Sequence, residues 1–274
     1  MAANLFDVSG KTVLVTGGAS GIGKAIAAAF VQSGAKVLVG SRTIEKVDAA
    51  AKELSQLVES HDDEPAAVGI ALDVTSDASV DRAVKKAVDH FGGLDVLVNS
   101  AGIMVKKPTA ALTIDEFNSV HETHVTGALR CAKAAYELMH EQHGGCIINL
   151  ASISSFVDLV EVTAYAAAKN AIMGLTRSLA SEWAKHGIRT NAIAPGFIPT
   201  ELNRKLLEGT DRGRRILEST PMARFGTGEE IAGAAVYLAS PAAAFVNGHT
   251  IVVDGGFLAC GVGDSFAEWA KPAE

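Results

Sequence analysis

Residues 11–31 read KTVLVTGGASGIGKAIAAAFV. A β-branched run, Lys11 to Val15, ends in a turn that carries Gly17, Gly21 and Gly23, and a helical pattern follows with Ile26, Ala27, Phe30 and Val31 on one side. Few folds accept strand, glycine-rich turn and helix in that order. Glycines let the backbone approach a pyrophosphate, and the helix N-terminus supplies unpaired N–H groups and a positive dipole end. Gly17, Ser20, Gly21, Ile22 and Gly23 are therefore candidate nucleotide ligands. The spacing is Gly-x-x-x-Gly-x-Gly, which differs from the common Gly-x-Gly-x-x-Gly fingerprint.

The same alternation continues along the chain. Further strands are expected at Lys36 to Val39, Ala67 to Leu72, Leu94 to Val98, Cys146 to Ile148, Arg189 to Ala194 and Thr250 to Val253. Between them lie helical patterns: Ile44 to Ser60, a helix capped by Thr75 or Ser76 that runs to Phe91, and a long helix opened by a Thr113/Glu116 capping box and reaching about His140. An Ala-rich helix starts at Thr163, and Glu229 to Leu238 forms another. The charged stretch Glu201 to Ser219 is expected to be helical, with a break near Gly209 to Gly213. Alternating strands and helices specify an α/β, doubly wound parallel sheet. We expect one domain over 1–274, with a lid-like insertion at about 197–220 and a tail over 257–274 whose Phe266, Ala267 and Trp269 suit docking on a partner subunit.

A net charge of -7 argues against nucleic acid, whose phosphates need a basic field. No uncharged apolar stretch is long enough to span a bilayer, so no membrane partner is expected. The start, MAANLFDVSGK, lacks a basic n-region followed by an apolar h-region, and a cytoplasmic location is expected. Cys131, Cys146 and Cys260 are scattered, with no Cys-x-x-Cys pair, so no disulfide framework and no metal site is expected.

Open α/β sheets hold ligands at the carboxyl ends of their strands. Ser152 stands just past one such end. Tyr165 and Lys169, four apart, share a helix face one turn apart. A phenol beside an ammonium is a tuned acid, and a neighbouring hydroxyl can hold a substrate oxygen next to it. Taken alone, Tyr-x-x-x-Lys is a common chance pair; the placement of Ser152 and the nucleotide turn give it meaning. After the second strand, Ser41 and Arg42 stand where an NAD-specific site carries an acid, and a guanidinium there suits a 2′-phosphate. NADP(H) is therefore the expected cofactor, with NAD(H) second. Asp73 is placed to face an adenine, and the small residues after Asn99 leave room for a cofactor across the strand end.

Together these pieces resemble the classical short-chain dehydrogenases/reductases over nearly the whole chain. The matching residues are Thr16-Gly17-(x)3-Gly21-Ile22-Gly23, Asp73-Val74, Asn99-Ser100-Ala101-Gly102, Ser152, Tyr165-(x)3-Lys169, Asn191, Pro195-Gly196 and Asp254-Gly255-Gly256. The resemblance implies a seven-stranded Rossmann sheet, hydride transfer between a nicotinamide and an alcohol or ketone, and a homotetramer or homodimer. Tyr165 would be the general acid/base, Lys169 would hold the nicotinamide ribose and lower the Tyr165 pKa, and Ser152 would bind the carbonyl oxygen. Ile198 and Thr200 resemble the family's contacts to the carboxamide and phosphates. The family's Asn-x-x-Gly in the long helix is His124-Val125-Thr126-Gly127 here. The main-chain role of that position survives the exchange, and the imidazole itself could join a proton path, since histidine titrates near neutral pH.

Segments such as Ser181-Glu182-Trp183-Ala184-Lys185-His186 and Phe245-Val246-Asn247-Gly248-His249 resemble members acting on sugar acids, the gluconate 5-dehydrogenases and 2-dehydro-3-deoxy-gluconate 5-dehydrogenases. A keto sugar acid or polyol is the expected small-molecule substrate. Lys106, Lys107 and Arg204 are candidate carboxylate ligands, Glu161 a candidate hydroxyl ligand, and Ser154 and Phe197 further substrate contacts. The apolar loop of Phe156, Val157, Leu159, Val160 and Val162 instead suits a 3-oxoacyl thioester or an apolar ketone. A nucleotide-sensing or scaffold protein is the alternative outside enzymes.

Overall fold

The computed structural model describes residues 4–59, 65–201 and 203–260. The proposed docking tail end, with Phe266, Ala267 and Trp269, lies outside the described residues.

Seven strands form one parallel sheet in the order β3-β2-β1-β4-β5-β6-β7. They are β1 (Thr12–Thr16), β2 (Lys36–Ser41), β3 (Ala67–Ala71), β4 (Val96–Asn99), β5 (Gly145–Leu150), β6 (Ile188–Pro195) and β7 (Thr250–Val253). The strand order reverses between β1 and β4, which opens the crevice used by nucleotide-binding sheets of this kind. Between the strands run α1 (Gly21–Gln32), α2 (Ile44–Ser55), α3 (Asp77–Phe91), α4 (Ile114–His121), α5 (Gly127–Glu141), α6 (Thr163–Trp183), α7 (Arg204–Leu207), α8 (Asp211–Glu218) and α9 (Gly228–Ala239).

Side chains alternate across the strands, so one strand feeds two cores. Val13, Val15, Val37, Val39, Val96, Val98 and Ile148 pack against α1, α2 and α9 on one face. Leu14, Leu38, Leu97 and Ile147 pack against α3, α5 and α6 on the other. Covering both faces explains the continuous apolar runs of the central strands. Ser76, not Thr75, caps α3, accepting from the Ser79 N–H. Thr113 and Glu116 form the expected capping box at α4.

Two elements differ from expectation. The helix from Ile44 ends at Ser55 rather than Ser60. The long helix is interrupted by a π turn over Glu122–Thr126, where the Gly127 N–H bonds the Glu122 carbonyl five residues back. Such a turn inserts one residue into the ladder and redirects the side chains around it. Here it lies where Gly127 meets Val74, which leaves no room for a Cβ, and where Arg130 ties Val74, Asp77 and Glu122 together.

Candidate active site

The carboxyl ends of β1, β4, β5 and β6 open into one cleft of ≈ 320 Å³. Gly17, Ser20, Gly21, Ile22 and Gly23 line one end of it, and Ser152, Tyr165, Lys169, Pro195, Gly196, Phe197, Ile198 and Thr200 line the rest. The glycine turn is built for close approach. Gly17 has φ +68°, and a Cβ on Gly23 would lie 2.4 Å from the Gly17 carbonyl oxygen. Thr16 Oγ1 accepts from the Ser100 and Ala101 N–H groups, at 3.1 and 3.0 Å, and so clamps the end of β4 to the turn. This cradle at a helix N-terminus fits the pyrophosphate of a dinucleotide.

Ser152, Tyr165 and Lys169 meet at the centre of the cleft. Ser152 follows β5 and is 7% exposed; its Oγ accepts from the Ser154 N–H at 3.1 Å. Burial pushes the Tyr165 phenol up, while a hydrogen bond from Ser152 pulls it down. Lys169 is buried, with Nζ 5.4 Å from the Tyr165 ring centroid and 2.5 Å from the Leu150 carbonyl, to which it donates. Burial lowers its pKa to about 7. The Lys169 ammonium is itself destabilised by burial and donates to the Leu150 carbonyl, and the hydrogen bond with Ser152 offsets part of the burial effect on the phenol.

His124 also lines the cleft, its ring edge-on to Tyr165 with centroids 5.4 Å apart. Its Nε2 lies 2.7 Å from the Ile103 carbonyl oxygen and 3.1 Å from the Ile103 backbone nitrogen, and the tautomer sets which of the two bonds it makes. Burial, helped by the Lys169 charge, drops its pKa to about 3. The imidazole thus stays neutral across the working range, and the expectation that it titrates near neutral pH does not hold. It acts instead as a wedge. A Cβ on Gly102 would sit 2.3 Å from His124 Cε1, so the two residues are sterically coupled. We expect Gly102→Ala to destabilise the protein by about 1–3 kcal/mol through overpacking. The double variant Gly102→Ala/His124→Asn should recover most of that loss in thermal denaturation; no recovery would show that the clash is not with His124.

Other expected site residues sort by position. Ser41 ends β2 and Arg42 is exposed beside it, both outside the cleft lining; the Arg42 charge helps lower the Asp73 carboxyl. The main cause of that lowering is local, because Asp73 Oδ1 accepts from both the N–H and the hydroxyl of Thr75. Val74 is buried against Gly127. Gly102 lines the cleft. The Asn99 side chain turns inward, donating to Asn149 Oδ1 at 2.9 Å, while its own Oδ1 is buried and unpartnered. It borders a cavity of ≈ 10 Å³ shared with Ala101, His124 and Lys169, about the size of one water.

Lys106 lines the cleft but is ion-paired with Glu161 at 3.2 Å. Arg204 lies outside the cleft lining and faces Glu208 at 3.8 Å. Lys107 is paired with Glu116. Ser154 lines the cleft with a buried, unpartnered hydroxyl. Of the apolar loop, Leu159 and Val162 face the cleft, whereas Phe156, Val157 and Val160 are exposed outside it. Sequence reasoning missed Asn203 and Arg212, which reach the cleft from the helical stretch after β6. Asn203 holds that stretch down, accepting from the Thr200 N–H at 2.7 Å and donating to the Ile198 carbonyl at 3.0 Å. Among the described residues no group of three or more acidic, Cys or His side chains is placed to hold a metal, and no helix is long and apolar enough to cross a membrane.

Comparison with known proteins agrees with this geometry. A family model described as enoyl-(acyl carrier protein) reductase matches residues 17–258. The chain is 36% identical to the 2-dehydro-3-deoxy-D-gluconate 5-dehydrogenase of Dickeya dadantii, covering 94% of this chain and 100% of the relative. It is 39% identical to the D-threitol dehydrogenase of Mycolicibacterium smegmatis, covering 92% and 94%. A gluconate 5-dehydrogenase from Burkholderia cenocepacia, solved in complex with NADP and tartrate, superposes with a TM-score of 0.88 at 33% identity, covering 95% of this chain and 100% of that one. With the parallel sheet, the glycine turn and the Ser152, Tyr165, Lys169 cluster in place, the chain belongs to the short-chain dehydrogenase/reductase family of oxidoreductases.

Proposed function

We propose that the protein interconverts a keto sugar acid, or a related polyol, with its alcohol, using NADP(H) in preference to NAD(H). The observation that carries the reading is one cleft joining the glycine cradle to Ser152, Tyr165 and Lys169 and lined by cationic side chains. The relatives named for a gluconate derivative and for threitol, and the neighbour solved with NADP and tartrate, support the substrate class.

A bound nicotinamide supplies or accepts the hydride. Ser152 donates to the substrate oxygen and stabilises the alkoxide that develops there. Tyr165 gives that oxygen a proton in reduction and takes it back in oxidation. Lys169 would hold the ribose hydroxyls of the bound cofactor at the centre of the cleft. His124 holds the Gly102–Ile103 segment at the cleft. We expect the protein to work as a homotetramer or homodimer in the cytoplasm.

Arg42 is the proposed 2′-phosphate ligand. Arg42→Ala should raise the Kd for NADPH about 10- to 100-fold and that for NADH less than threefold, as loss of a charge-assisted pair predicts. Equal effects in fluorescence titrations would remove Arg42 from that role. The function itself is tested by following NADPH consumption with 5-keto-D-gluconate, acetoacetyl thioester and an apolar ketone. Fastest turnover of the keto acid supports the reading; turnover of the thioester or apolar ketone alone would move the substrate to the Leu159/Val162 side.

A further inference from the structure

We infer that Arg212, on α8, is the side chain that binds the substrate carboxylate and sets the preference for an acid over a neutral ketone. This rests on the sugar-acid reading above. Arg212 is half-buried and lines the cleft. Of the other cations in the cleft lining, Lys106 is ion-paired with Glu161 and Lys169 is buried with its Nζ donating to the Leu150 carbonyl; on the neighbouring helices Arg204 pairs with Glu208, and Arg214 with Asp211 and Glu218. Arg212 has no ion-pair partner among the described residues. A guanidinium left unpaired in a half-enclosed cleft invites an anion, and its planar fork matches a carboxylate in two-point contact.

The local fold fixes its direction. The Thr210 hydroxyl caps α8, accepting from the Gly213 N–H at 2.9 Å. A Cβ at Gly213 would lie 1.7 Å from the Leu207 carbonyl oxygen, so only glycine lets α8 fold back this tightly on α7. That fold-back sets the neighbouring Arg212 into the cleft beside Leu206 and Leu207. Glu201, the acid in the cleft lining, is exposed and does not pair with it. It is placed for the hydroxyls of a sugar chain, which leaves Arg212 for the carboxylate.

An anion in the cleft has two sources, the substrate and the cofactor's phosphates. The experiment separates them by measuring kcat/KM for 5-keto-D-gluconate and for its neutral carboxamide, with NADPH Kd determined in parallel. Wild type should prefer the acid. In Arg212→Gln the acid-to-amide ratio of kcat/KM should fall about 10- to 100-fold, and Arg212→Lys should restore part of it. An unchanged ratio, or a change confined to NADPH Kd, would overturn the assignment while leaving the sugar-acid reading intact. Wild type that reduces other ketones but not the keto acid would overturn the sugar-acid reading, and this assignment with it.

Discussion

Tyr165→Phe should lower kcat by about 10²- to 10⁴-fold, the usual contribution of a positioned acid or base, while NADPH Kd changes less than threefold. The ring stays, so the edge contact with His124 and the packing of α6 are kept. Only the hydroxyl is lost, and with it the hydrogen bond to Ser152. A scaffold or sensing protein would lose nothing measurable by that change. An enzyme whose chemistry ran through another group would keep most of its turnover. The two readouts, stopped-flow turnover and fluorescence titration of NADPH, distinguish a missing acid from a damaged site.

Lys169→Met should raise stability and lower activity. Burial depresses the Lys169 pKa from 10.5 to about 7. Between those values the unfolded chain holds a proton that the folded chain has released, so folding is opposed by the buried ammonium. That opposition is full below about pH 7 and fades as the pH rises toward 10.5. Removing the charge should therefore stabilise the protein by about 2–4 kcal/mol at pH 6, after allowing for the lost bond to the Leu150 carbonyl, and by little at pH 10.5. Turnover should fall at least about 10²-fold with NADPH at saturation, as for removal of a group that orients the reacting partners. Denaturant unfolding of both proteins across this pH range checks the claim. A variant less stable than wild type at every pH would show that the lysine is held by favourable contacts rather than retained for its chemistry.

The fold was legible because each strand is a short apolar run bounded by turn residues, and each helix shows a one-sided apolar pattern. The Ser152, Tyr165, Lys169 cluster and the glycine cradle were legible because each is local: a strand end, an i,i+4 pair, a turn. What escaped was non-local. Whether Arg204 or Arg212 enters the cleft depends on how α8 folds back at Gly213, and sequence spacing alone gives both arginines equal standing. The inward turn of Asn99 depends on Asn149, fifty positions away in the chain. The neutral state of His124 follows from its burial, helped by the Lys169 charge, which periodicity does not report. The π turn that carries it is invisible to a helical pattern, since one inserted residue shifts the apolar face only locally.

This cleft passes a hydride between a nicotinamide and a carbonyl carbon. The most direct measurement supplies NADPH deuterated at the transferring position of nicotinamide C4 and 5-keto-D-gluconate, and reads the product by mass spectrometry and NMR. One deuterium on the carbon that bore the ketone, lost when Tyr165→Phe replaces wild type, is the predicted result. Product without deuterium at that carbon, or no consumption of either cofactor with any ketone offered, would contradict the account.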